Sequence, residues 1–187
     1  MFVQTNFVLI MKTILTLGAS NSKNSINKEF ACYTATLLDN VEVKNLDLND
    51  FSMPLYGIDE EETNGVPAAA HSFRKEIMEA DGIIISFAEH NGSFSAAFKN
   101  VYDWASRAGG NVWQNKPLLL LATSPGGRGG QSVLEHAYNI YAHGNENTIK
   151  GIAFPSFHNN FVQEKGILDE EYRSELKISL KKFQDLL

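Results

Sequence analysis

"KTILTLGASNSKNSIN", residues 12–27, runs from a short apolar stretch through a polar loop into the start of a helical pattern. A strand that feeds a helix through a loop of this kind is the opening unit of an alternating α/β fold. The rest of the chain repeats the theme. "VEVKNL" (41–46), "GIIISF" (82–87), "PLLLLA" (117–122) and "TIKGIAF" (148–154) read as further strands. Three of the five are almost continuously apolar, as expected when helices cover both faces of a parallel sheet. Between them, Ile26, Phe30, Tyr33 and Leu37 mark one face of a helix over 26–38, and Phe94, Phe98, Val101 and Trp104 one over 94–107. Weaker spacing through Phe73, Ile77 and Ala80 predicts a helix over 67–80, and Val133, Leu134, Ala137, Tyr138 and Tyr141 one over 131–142. The tail carries Asp169 as an N-cap, Glu170 and Glu171 in a first turn and Lys181 and Lys182 near the end, which suits the dipole of a final helix. Five β-α units in strict alternation predict an open α/β sandwich with right-handed crossovers.

The bulk properties narrow the choices. A chain of 187 residues, 43% hydrophobic and 20% charged, suits one domain with a sizeable core. Its formal charge of −6, with no cluster of Lys and Arg, speaks against nucleic acid or an anionic membrane as partner. A single cysteine, Cys32, leaves no internal disulfide and fits a reducing compartment. Residues 1–10 are expected to be an N-terminal extension outside the fold, or a misplaced start, because Met11 opens the first strand cleanly. Lys12 interrupts the apolar run and no basic segment precedes it, so a secretion signal is rejected and a cytoplasmic protein spanning 11–187 as one domain is expected. The segment 49–67, "NDFSMPLYGIDEEETNGVP", is a long acidic connection whose Met53, Pro54, Leu55 and Tyr56 either cover a ligand or partner subunit or pack on the surface.

In open α/β sheets ligands sit beyond the carboxyl ends of the strands, which directs attention to loops 18–27, 88–95 and 123–130. The first lies at a helix start, an anion site by virtue of exposed N–H groups and the helix dipole. It has neither G-x-G-x-x-G nor G-x-x-x-x-G-K-[ST], so a dinucleotide or triphosphate grip is excluded. Ser20, Ser22, Ser25 and Asn27 offer hydroxyl and amide donors suited to a monophosphate, or else simply cap the helix. "AEHNGSFS" (88–95) contains the tight-turn pair Asn91-Gly92, which exposes backbone groups able to meet the polar edge of a planar ring. His90 either lies against such a ring or is an ordinary surface residue. "TSPGGRGG" (123–130) has four glycines, so its backbone can approach a ligand closely or merely flex.

In this order and spacing, "GASNSKNSIN", "AEHNGSFSAAFKNVYDWASR" and "TSPGGRGG" resemble the NADPH-dependent FMN reductase family of flavodoxin-like proteins. The central segment is the most specific: Glu89, Asn91, Gly92, Ser93, Lys99, Asn100, Asp103 and Trp104 match the family's Pro-Glu-Tyr-Asn-Gly-Ser and Lys-Asn-Ala-(Leu/Ile)-Asp-Trp text. The resemblance covers about residues 12–155. It implies a flavodoxin-like three-layer α/β/α sandwich with a five-stranded parallel sheet of order 2-1-3-4-5. It also implies FMN, with Ser20, Ser22, Ser25, Ile26 and Asn27 at its phosphate, Glu89, His90, Asn91, Gly92 and Ser93 at the isoalloxazine ring, and Ser124, Gly126 and Gly127 along its other edge. Lys99, Asn100, Asp103 and Trp104 would package their helix and contribute to a subunit interface, giving a homodimer or dimer of dimers. The sequence departs from the family in lacking a phosphate-loop arginine, in Ala88 where proline is usual, and in His90 where a ring-facing tyrosine is usual.

The implied activity is hydride transfer from NADPH or NADH through FMN to a small-molecule acceptor: a quinone, azo compound, nitroaromatic, metal oxyanion or free flavin. Two other readings share the fold, a non-enzymatic electron carrier of the flavodoxin type and a flavin-free binding module. A metal is not expected, because His71, His90, His136, His143 and His158 form no i,i+3 or i,i+4 pair. Cys32 falls inside a helical pattern rather than a phosphate loop, which argues against a cysteine phosphatase.

Overall fold

A computed structural model describes residues 11–187; the expected extension 1–10 lies outside the described residues. Five parallel strands form the central sheet: β1 (Lys12–Ala19), β2 (Val41–Leu46), β3 (Gly82–Phe87), β4 (Leu118–Thr123) and β5 (Thr148–Phe154). Their spatial order is β2-β1-β3-β4-β5, so the sequence-based order 2-1-3-4-5 is found. In the register, Leu15 stands between Lys44 of β2 and Ile83 of β3. The reversal of direction between β1 and β3 places the switch point at the carboxyl ends of those strands.

Alternation along the strands builds two cores. Leu15, Ile83, Ile85, Leu118 and Leu120 point to one face, where α3 (Ala68–Glu79), α4 (Ala96–Arg107) and α5 (Gln131–Gly144) bury Phe73, Ile77, Phe98, Val101, Val133 and Leu134. Ile14, Ile84, Leu119 and Leu121 point to the other, where α1 (Ile26–Thr36) and α7 (Glu170–Gln184) bury Phe30, Ala31, Leu176, Leu180 and Phe183. This two-sided burial is why β3 and β4 have no polar alternation. β2 is an edge strand whose exposed Glu42 and Lys44 discourage further pairing.

Several elements differ from the sequence-based expectation. A 3-10 turn (Leu48–Asp50) leads into the long 49–67 connection, which contains α2 (Ile58–Asn64). Helix α2 buries none of its residues, so it has no apolar stripe for periodicity to reveal. Its neighbour segment 53–56 lies against α4. Pro54 O accepts from Trp104 Nε1 at 2.8 Å and from Asn100 Nδ2 at 3.0 Å, while Asn100 Oδ1 accepts from Tyr56 N–H at 2.8 Å. Asn100 and Trp104 therefore anchor the insertion, and Lys99 pairs with Asp103 one turn on. Phe94 is not part of α4: the helix starts after its N-cap Ser95, which accepts from Phe98 N–H and donates to Ala19 O at 2.8 Å. After β5 the chain adds a short helix, α6 (Phe157–Asn160), and a hairpin pairing Phe161–Val162 with Gly166–Ile167.

Gly18 sets how closely α1 approaches β1. A Cβ there would lie 2.4 Å from Lys28 N and 2.6 Å from Lys28 Cα, both backbone atoms. Gly18→Ala is expected to lower the unfolding free energy by about 2 kcal/mol, the usual scale of overpacking. Urea unfolding reads this directly, and a change below about 0.5 kcal/mol would mean that α1 can slide outward freely.

Candidate active site

Three loops at the carboxyl edge of the sheet enclose a cavity of about 470 Å³, within the usual range for small-molecule sites. Ser20, Ser22, Ser25, Ile26 and Asn27 form one wall, Glu89 and His90 a second, and Ser124 a third. Asn91, Gly92 and Ser93 lie farther along the second loop, and Gly126 and Gly127 farther along the third, outside the lining. Asn24, Ala88, Thr123, Pro125 and His158 also line the cavity, and the sequence reading did not single them out as site residues.

The first wall is the start of α1. Ser25 is its N-cap, with extended backbone, and its hydroxyl accepts from Lys28 N–H at 3.2 Å. Capping uses the oxygen and leaves the O–H free to donate. Ser20 Oγ accepts from Ser22 N–H at 3.1 Å, which curls the loop around its own hydroxyls. The first-turn amides of Ile26 and Asn27 have no intrahelical acceptor, so they add two donors at the positive end of the helix. This donor set is neutral throughout. Lys28 points instead to Asp47, 2.7 Å away; their hydrogen bond holds the ammonium above its ordinary pKa and, together with the Asn49 N–H, the carboxyl below its own.

The side chain of Asn27 also holds the fold together at this wall. It is 4% exposed, its Oδ1 accepts from Ser86 Oγ at 2.7 Å and Thr123 N–H at 3.1 Å, and its Nδ2 donates to Thr123 O at 3.1 Å. The amide thus ties α1 to β3 and β4 through both acceptor positions of Oδ1 and one N–H of Nδ2, and the second Nδ2 N–H and the backbone N–H are left as donors.

The second wall is a hairpin in which Glu89–His90 pairs with Ser93–Phe94. Asn91 and Gly92 turn it with φ of 52° and 76°, the left-handed pair that a two-residue hairpin requires. Glu89 Oε2 accepts from Val133 N–H at 3.0 Å, so one carboxylate oxygen caps α5 and the other is left for the cavity. His90 is exposed on the rim.

In the third loop the glycines that the backbone needs are not those expected to meet a ligand. Gly129 and Gly130 have φ of 60° and 81°, and a Cβ on Gly129 would lie 2.7 Å from Ala153 O. Gly126 and Gly127 adopt ordinary conformations with open space around them, leaving room for a ligand edge without a steric demand for glycine.

The cavity therefore combines neutral donors at a helix start, a hairpin wall and the loop that leads into the glycines, with no Lys or Arg among its lining residues. Comparisons with known proteins find relatives in both sequence and fold. The sequence is 32% identical over 142 residues to a 2-hydroxy-1,4-benzoquinone reductase of Burkholderia sp, covering 72% of each chain. It is 30% identical over 131 residues to a quinone reductase of Escherichia coli K12, covering 68% of each. An NADPH:quinone oxidoreductase of Arabidopsis thaliana is 38% identical over 92 residues, a span of 49% of this chain and 45% of that protein. Among solved structures, FerB, a flavoenzyme NAD(P)H:(acceptor) oxidoreductase from Paracoccus denitrificans, superposes with a TM-score of 0.72 at 24% identity, over 94% of this chain and 97% of that one. The NADPH-dependent FMN reductase family matches residues 12–159, which takes in all five strands and all three cavity loops, and the chain belongs to that family.

Proposed function

We propose that the protein is an FMN-dependent NAD(P)H oxidoreductase whose acceptor is a quinone. The observation that carries this is the convergence of the serine loop, the Glu89–Phe94 hairpin and the glycine loop on one cavity at the switch point of the sheet. The donor set fits FMN. Three hydroxyls and two helix-start amides suit a monophosphate, and Glu89 and His90 of the hairpin face Ser124 and Pro125 of the third loop across the space left for a ring. When bound, FMN supplies a two-electron carrier between nicotinamide and acceptor.

The chain's own residues do the rest. Ser20, Ser22 and Ser25 hold the phosphate end, and Glu89 to Ser93 present the hairpin to the ring. Glu89 fixes that hairpin against α5 through Val133 N–H. Ser124, Gly126 and Gly127 border the opposite edge. The quinone assignment is supported by the names of the Burkholderia and Escherichia coli relatives. Azo compounds, nitroaromatics, metal oxyanions and free flavin are the other acceptors to assay.

The assembly we propose is a homodimer or dimer of dimers, to which Leu55, 81% exposed, and Ile58, 54% exposed, on the insertion would contribute apolar area. No helix among the described residues is long and apolar enough to cross a membrane. We place the protein in the cytoplasm, a reading supported by its single cysteine.

The test is optical. Purified protein should be yellow or become so with added FMN, should bleach rapidly under argon with NADPH or NADH, and should recover its colour on addition of benzoquinone. A protein that cannot be reconstituted with FMN would sink this assignment. One that takes up FMN yet bleaches only with an auxiliary reductase is an electron carrier.

A further inference from the structure

The short helix α6 brings a residue from after the last strand to the mouth of the cavity. It opens on Ser156, whose φ of 49° is left-handed for a residue with a Cβ. The turn is held on both sides. Ser156 N–H donates to Gly126 O at 2.9 Å and Phe157 N–H to Ser124 O at 3.1 Å, while Ser156 O accepts from Asn159 N–H at 2.8 Å and Asn160 N–H at 3.1 Å. Strained backbone persists only where its surroundings over-determine it. Here it ties the segment after β5 to the glycine loop and sets His158 at the cavity lip. His158 lines both the main cavity and an adjoining recess of about 460 Å³ that runs along the start of α1 past Lys23, Asn24, Ser25, Lys28 and Glu29.

We propose that His158 recognises the terminal phosphate of the flavin cofactor, supplying a basic group at the phosphate end of a cavity that no Lys or Arg lines. This rests on the FMN reading of the cavity. A phosphate monoester carries roughly −1.5 to −2 charge at neutral pH, and the donors at the α1 start are all neutral. The other cations near the loop are engaged or displaced. Lys28 is bound to Asp47, Arg128 to Ser132 in the first turn of α5, and Lys23 lines the recess but not the cavity. Glu29, in the same recess, adds negative charge that an anion must be shielded from. His90 shares the cavity but belongs to the hairpin wall and does not reach the recess. An imidazole has at least one N–H donor in either protonation state, so His158 can serve the phosphate as a hydrogen-bond donor and, when protonated, as a counter-ion.

The experiment compares FMN with riboflavin, which has the same ring and no phosphate. Dissociation constants for both are measured by fluorescence quenching on the flavin-stripped full-length protein, its H158A variant and its H158R variant, with thermal melts to show that all three are folded. The expected result is about a 10-fold weaker FMN affinity in H158A, riboflavin affinity within twofold of wild type, and recovery of FMN affinity in H158R. Unchanged FMN affinity in H158A would overturn the proposal. So would equal weakening of FMN and riboflavin, which would put His158 beside the ring. If the wild-type protein itself binds neither flavin, the FMN reading fails and this proposal with it, a result distinguishable because it appears before any substitution.

Discussion

Asn27→Ala is expected to lower the unfolding free energy by about 3 kcal/mol, a large effect for a residue that makes no hydrophobic contribution. In the folded protein the Asn27 amide accepts from Ser86 Oγ and Thr123 N–H and donates to Thr123 O, all in a buried setting. Alanine removes three hydrogen bonds at once and leaves the Thr123 N–H and C=O facing no partner where water has little access. Each stranded group costs about 1–3 kcal/mol, partly recovered if the Ser86 hydroxyl rotates to another acceptor. For a chain of this length such a loss corresponds to a drop in Tm of about 10 °C. Asn27→Asp is expected to fare no better, because a carboxylate would keep both accepted bonds but turn an anionic oxygen towards Thr123 O. Exposed Asn24, in the same loop, is the control: Asn24→Ala should leave the urea midpoint in place. A stability change in Asn27→Ala below about 1 kcal/mol would show that water or a neighbouring side chain takes over the freed groups.

The role of Asn27 also shows where sequence reading reaches its limit. Features whose physics is local were legible: the Asn91-Gly92 turn needs two left-handed residues in a row, Asp169 caps the helix that follows it, and the buried runs of β3 and β4 are continuous in the text. The strand order and the general placement of the cavity followed from the alternation of elements together with the family resemblance. What stayed hidden depends on partners distant in the chain. Nothing near residue 27 reveals that its amide is answered by Ser86 and Thr123, and nothing near Glu89 reveals that its carboxylate caps α5. His158 lies beyond the last strand, and only the tie between Ser156 and Gly126 brings it to the serine loop. Helix α2 was hidden for another reason: it covers no core, so its sequence carries no periodic constraint.

Ser25→Asp is expected to reduce FMN affinity by at least about 100-fold while leaving the fold intact. Ser25 does two things that this substitution separates. As N-cap it accepts from Lys28 N–H, and aspartate is as good a cap as serine, with a charge that the helix dipole favours at this end. The melting temperature should therefore hold or rise slightly. As a donor to phosphate, however, serine offers an O–H, and aspartate offers an anion. Two like charges about 4 Å apart repel by about 4 kcal/mol at an effective dielectric of 20, and a phosphate carries more than one charge. Water and salt screen part of that, which sets the conservative bound. Ser25→Glu repels the phosphate equally but lacks the short reach that capping needs, so the aspartate variant is the cleaner instrument. Riboflavin affinity should be nearly unchanged in Ser25→Asp, since the proposed placement puts the ring towards the hairpin rather than the helix start. If FMN binds the variant as tightly as it binds wild type, the phosphate does not sit at the start of α1. If both flavins are lost although the melting curve is unaltered, Ser25 contacts the ring, and the orientation of the cofactor in the cavity has to be reversed.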